Sequence, residues 1–192
     1  AQWGAGLPAF VADAAPLADA PYLADMARLD WAVHQAEQAA DTDAGQATDA
    51  QAGPAVPGLS LLAAIDPQWL RLRLQAGTAL LASAHPIATI WLAHHGERDG
   101  DDAFAPARAA LAARQAESAL VQRRGWRATV RAIAPAEARF TQALLHGEPL
   151  HAALQSGGAD FDFETWLIAA LQTGAIAAVE EVPGRRSPPR SP

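Results

Sequence analysis

The side chains best placed to do chemistry are histidines and carboxylates, and the densest group is His94, His95, Glu97 and Asp99. That grouping raises the question of a metal. Adjacent histidines project to different sides of a helix, and no HExxH or paired ExxH spacing puts two ligands on one face. His34 and Glu37 stand three apart on one helical face, but a di-iron carboxylate bundle needs that pairing twice, with more glutamates. Ser60, Ser83, Ser118 and Ser156 lack the strand-turn-helix context of a nucleophile elbow, and there is no glycine-rich phosphate loop. The expectation is a chain with no catalytic residues, no metal ligands and no cofactor of its own.

Arginine carries more information. All 14 cations are Arg, and the formal net charge is −7, so acidic partners receive no general attraction. Against that background Arg71 and Arg73 alternate with Leu70, Leu72 and Leu74, while Arg127, Thr129 and Arg131 alternate with Ala128, Val130 and Ala132. A period of two puts each set on one side of a strand. If both strands belong to one sheet, Arg71, Arg73, Arg127, Thr129 and Arg131 form a cationic outer face. Such a face is either a solvated surface whose charges protect an edge, or a site for an acidic, extended peptide that adds a strand there.

The elements that must position these residues are legible in order. Ala9 to Ala18 can form a short helix, and Pro21 starts a longer one to about Ala40. Tyr22, Met26, Leu29 and Val33 share a stripe of it, and Trp31 falls on the opposite side, packed within its own domain or against the second domain or a partner. Asp41 to Gly58 is rich in Ala, Gly, Asp, Gln and Pro and reads as a linker and domain boundary. Leu59 to Ile65 is a short turn or helix. A half-buried strand follows Trp69, with Gly77 at a bend and Ala79 to Ala82 continuing the extended chain. A helix beginning at His85-Pro86 carries Ile87, Ile90, Trp91 and His94. After a polar, acidic loop from Gly96 to Pro106, Glu117 to Arg123 and Trp126 to Ile133 form a hairpin around Arg124-Gly125.

The last part is three helices and a strand. One helix opens at Pro135 and closes at Gly147, a second runs from Pro149 to Gly157-Gly158, and a third opens at Asp160 or Asp162 and closes at Gly174. Phe163, Trp166, Leu167, Ala170 and Leu171 lie on one face of the third. Ala175 to Val182 reads as one arm of a wing, making the unit a winged relative of the helix-turn-helix. In that motif the third helix reads DNA, yet Phe161 to Thr173 has no Arg or Lys and carries Asp162 and Glu164. Phosphates would repel it.

The chain of 192 residues is 51% hydrophobic, enough for one or two small domains with a core. It lacks Cys, which excludes disulfides and thiolate chemistry. No apolar run approaches the roughly 18 residues of a membrane span, and no signal peptide is visible, so the cytoplasm is the expected compartment. The abrupt start at Ala1, straight into Trp3, Leu7 and Phe10, suggests that part of an N-terminal domain lies upstream. Pro183 to Pro192 has too little apolar surface to fold. The expected class is α+β. It would comprise a helical N-terminal domain over 1–40, a linker over 41–58, a winged-helix-like domain over 59–182 and a tail over 183–192.

Three segments resemble a known bacterial family: PYLADMARLDWAVHQA at Pro21 to Ala36, WLRLRLQAGTALLASAHPIATIWLAHH at Trp69 to His95, and the hairpin followed by the three-helix end. That family carries the name DNA-binding domain. Its members are partner proteins of multinuclear non-heme iron-dependent oxidative enzymes in bufferin and methanobactin-type peptide biosynthesis. The resemblance implies an accessory subunit that binds the leader of a ribosomally made precursor peptide and presents its cysteines to an iron-dependent TIM-barrel enzyme. The iron would be the partner's. Peptide contacts would fall on Arg71, Arg73, Arg127, Thr129 and Arg131, and enzyme contacts on Trp31 or Trp91. The alternative is a winged-helix DNA-binding transcription regulator.

Overall fold

The computed structural model describes residues 4–39, 56–96 and 102–182. Trp3, Glu97, Asp99, most of the expected linker and the terminal tail lie outside them. In chain order the elements are α1 (Leu7–Asp13), α2 (Tyr22–Gln38), α3 (Leu61–Ala64), β1 (Leu70–Leu74), β2 (Ala79–Ser83), α4 (Ile87–His95) and α5 (Ala105–Ala112). There follow β3 (Glu117–Arg124), β4 (Arg127–Ile133), α6 (Pro135–Leu145), α7 (Leu150–Gly157), α8 (Phe163–Gln172) and β5 (Ile176–Glu181). The fold is α+β. Among the described residues no helix is long and apolar enough to cross a membrane.

Two compact units share the chain. One takes 4–39, 76–96 and 102–138, and the other takes 56–75 and 139–182. This differs from the expected division into a helical domain over 1–40 and a winged domain over 59–182. The reason is physical: α2 buries its apolar stripe on a sheet and on helices α4 and α5, all made 40 residues and more downstream.

In the first unit that sheet is antiparallel, in the order β2-β3-β4. Leu29, Ala32 and Ala36 of α2 and Ile87 and Ala88 of α4 pack with Ala119, Val121 and Val130 of the strands. The alanines bring the α2 backbone close. Gly77, at φ +81°, is pressed on α2 so tightly that a Cβ there would lie 2.7 Å from the Ala36 Cα. The β3-β4 hairpin turns through Gly125-Trp126, one position later than the expected Arg124-Gly125, with Gly125 at φ +60°, the arrangement of a two-residue loop with glycine first. The α5 helix was not foreseen. Its Pro106, which ends the expected acidic loop, instead sits in the helix's first turn.

In the second unit β1 pairs antiparallel with β5, with Leu70 opposite Glu181 and Leu72 opposite Val179. Leu70 and Leu72 are buried, as their alternation requires. Phe140 is fully buried at the centre of an aromatic group, with ring centroids of Phe161 at 4.3 Å, Trp166 at 4.7 Å and Phe163 at 5.9 Å. The Asp162 side chain accepts the Thr165 N–H and caps α8, while Arg139 donates to the carbonyls of Ser156 and Gly157 at the end of α7. Among the described residues the expected wing is not formed. β5 pairs with β1, about a hundred residues earlier, and among the described residues no strand follows it.

Candidate functional site

The five residues expected to form one cationic face belong to two sheets. Arg71 and Arg73 lie on β1, whose partner is β5, whereas Arg127, Thr129 and Arg131 lie on β4, whose partner is β3. The single face is therefore not built. Alternation shows which side of a strand is buried but not which strand lies beside it, and pairing here skips the intervening segments. Within its own unit Arg73 forms an ion pair with Glu180 at 3.4 Å. Arg71 is half-buried opposite Glu180.

The candidate site that remains is the edge formed by β4. A two-residue turn makes Arg124 and Arg127 the hydrogen-bonded pair nearest the loop, so hydrogen-bonded and non-hydrogen-bonded pairs alternate from there. Arg127, Thr129 and Arg131 point their N–H and C=O groups at β3. Ala128, Val130 and Ala132 point theirs outward, along the side of the sheet that no strand pairs with among the described residues. The Ala128 N–H confirms that direction by donating, at 3.4 Å, to Oε1 of Glu37 on α2.

The side chains along this edge are held unequally. Arg127 lies 4.4 Å over the ring of Trp126, a cation–π contact that orients the guanidinium without neutralising it. Trp126 is 73% exposed. Arg131 is already engaged in two hydrogen bonds with the Glu137 carboxylate. Thr129 donates its hydroxyl to the Gln122 carbonyl at 3.1 Å and so offers oxygen lone pairs outward. With Arg124 opposite Arg127, the hairpin tip is positively charged in a chain of net charge −7.

Among the described residues the other sequence candidates do not assemble into a site. His94 meets the Phe104 ring at 5.0 Å, while His95 stacks on Trp91 at 4.2 Å and its Nδ1 contacts the Trp91 carbonyl. Among the described residues no group of three or more His, Asp and Glu could hold a metal. Ser83 donates directly to Asp25 at 2.6 Å and accepts the His85 backbone N–H, so no imidazole stands behind it as a base. A cavity of about 590 Å³ between α2, α4 and α5 is lined by Met26, Ile90 and Leu111, with Asp30 and His94 also on its wall. Trp31 and Trp91, the expected partner contacts, are half-buried. Trp31 packs on the Gly4 backbone and stacks with His34, so Trp126 is the far more exposed tryptophan.

Sequence reasoning missed Glu37 as a member of this site because it weighed that residue only beside His34. Its contact with Ala128 spans 91 positions, and no local pattern announces it. Compared with protein-family models, curated proteins and solved structures, the chain shows no significant match.

Proposed function

We propose that the chain is a non-catalytic recognition subunit that holds an acidic, extended peptide along the β4 edge. In this reading the peptide is the leader of a ribosomally made precursor. The chain presents it in the cytoplasm to an iron-dependent oxidative enzyme that modifies cysteines, and the iron belongs to that enzyme. Two things support the reading: the family resemblance of the segments quoted above, and the β4 edge. The edge is the observation that carries it. Outward backbone groups at Ala128, Val130 and Ala132 alternate with the exposed side chains of Arg127, Thr129 and Arg131, as addition of a peptide strand requires.

Each part has a physical role. Main-chain hydrogen bonds along the edge supply affinity irrespective of peptide sequence, and the arginines select for carboxylates. Arg127 contributes more selectivity than Arg131, because among the described residues no carboxylate matches its charge. The α8 helix supports the reading from the other side, since it presents Asp162 and Glu164 and no cation to a nucleic acid.

Calorimetric titration of an acidic precursor leader into the wild-type chain and into Arg127→Glu, Arg131→Glu tests this. Exposed charge pairs are worth ~0.2–1 kcal/mol each, so reversing two costs on the order of 1–3 kcal/mol, roughly ten- to a hundredfold in Kd. No binding by the wild-type chain, together with no retention of a partner oxidative enzyme, would return the DNA-binding regulator to first place.

A further inference from the structure

The β4 edge is already occupied at one point, and that point gives the bound peptide a sequence preference. Glu37 closes the donor that a peptide needs. Its carboxylate accepts the outward Ala128 N–H at 3.4 Å, and it stands one position beyond Ala36, which is buried against the sheet. Glu37 itself is exposed, so it can swing away. A strand that pairs with β4 must take the Ala128 N–H for one of its own carbonyls and release Glu37 beside the new strand.

We infer that Glu37 is the specificity-determining residue of the β4 edge: it guards the Ala128 amide and, once displaced, pairs with a cationic side chain of the bound peptide. This rests on the peptide-recognition reading. Residues directly opposite each other in a sheet share a face. In an antiparallel addition the peptide therefore meets Ala132, Arg131, Val130, Thr129, Ala128 and Arg127 in that order from its N-terminal end. Carboxylates belong opposite Arg131 and Arg127, a small polar residue belongs opposite Thr129, and a lysine or arginine opposite Ala128 lies beside Glu37. The ligand class is an acidic strand with one cation next to its C-terminal acid, such as Ala-Glu-Val-Thr-Lys-Glu. A uniformly acidic strand fits less well, because it places a carboxylate against Glu37.

The discriminating pair is Ala-Glu-Val-Thr-Lys-Glu and its isomer Ala-Glu-Lys-Thr-Val-Glu, both blocked at the ends and titrated into the whole chain by NMR. They have the same composition and charge and differ in whether lysine falls opposite Ala128 or Val130. The first should bind about two- to fivefold tighter, the effect of one exposed charge pair. In Glu37→Gln, which keeps an oxygen able to accept the Ala128 N–H, both should bind and the difference should vanish. Equal binding of the two isomers to the wild-type chain overturns the role of Glu37 while leaving edge recognition standing. A preference that survives in Glu37→Gln overturns it too. If neither isomer nor the acidic leader shifts the Ala128, Val130 and Ala132 resonances, the edge reading fails and this inference fails with it.

Discussion

The Glu117 carboxylate accepts the backbone N–H of Ala88 at 3.0 Å, so the first residue of β3 caps the first turn of α4. The same oxygen takes the Thr89 N–H at 3.0 Å, and the other oxygen takes the Thr89 hydroxyl. Glu117 is buried, a position a carboxylate can hold only when donors surround it. The helix N-terminus supplies them.

Glu117→Ala should therefore cost about 2–3 kcal/mol, because it leaves two helix-end amides without a partner inside the fold. Glu117→Gln keeps an acceptor oxygen and should cost less. Urea unfolding of the two variants checks the order, which would be reversed if burial of the charge were a net penalty.

In the second unit Phe140 fills the space between Phe161, Phe163 and Trp166. Phe140→Ala should cost ~3–5 kcal/mol, since it removes both the transfer gain and the contacts across the resulting cavity. Trp166 lies against that ring, so its fluorescence should report the loss before global unfolding. A change under about 1 kcal/mol would mean that the cluster is not close-packed.

A third test concerns pH. The Thr165 backbone N–H, followed by the Thr165 hydroxyl, holds the Asp162 carboxyl below the ordinary aspartate value of 3.8. A carboxyl lowered by folding stabilises the fold fully above its unfolded value, and that contribution is lost as pH falls through the lower folded value. Asp162→Ala should lower Tm at neutral pH, and the gap to the wild-type chain should narrow below pH 3.8. A gap independent of pH would assign the capping to the neutral carboxyl.

What could be read in the sequence follows from what is local. Leu70 and Leu72 gave away their burial by alternation, the third helix its start to within the pair Asp160 and Asp162, and the hairpin its place to within one residue by Gly125 between two runs of period two. Each signal lies within a few residues. The pairing of β1 with β5 and of β2 with β3 has no such signal, because a strand's own pattern is the same whichever neighbour it finds. For that reason Arg71 and Arg73 were joined to Arg127 and Arg131 in the sequence but belong to a different sheet. The same limit hid Glu117 and Glu37, whose partners lie 29 and 91 positions away. Trp31 marked a second contact face of α2, opposite the apolar stripe, and the structure covers its ring with the Gly4 segment.

The most direct test of peptide recognition is amide hydrogen exchange across the hairpin, with and without the acidic leader. Strand addition predicts slowed exchange at Ala128, Val130 and Ala132, whose N–H groups point outward, and little change at Arg127, Thr129 and Arg131, whose groups already face β3. Protection confined to α8, or none along β4, would contradict the account.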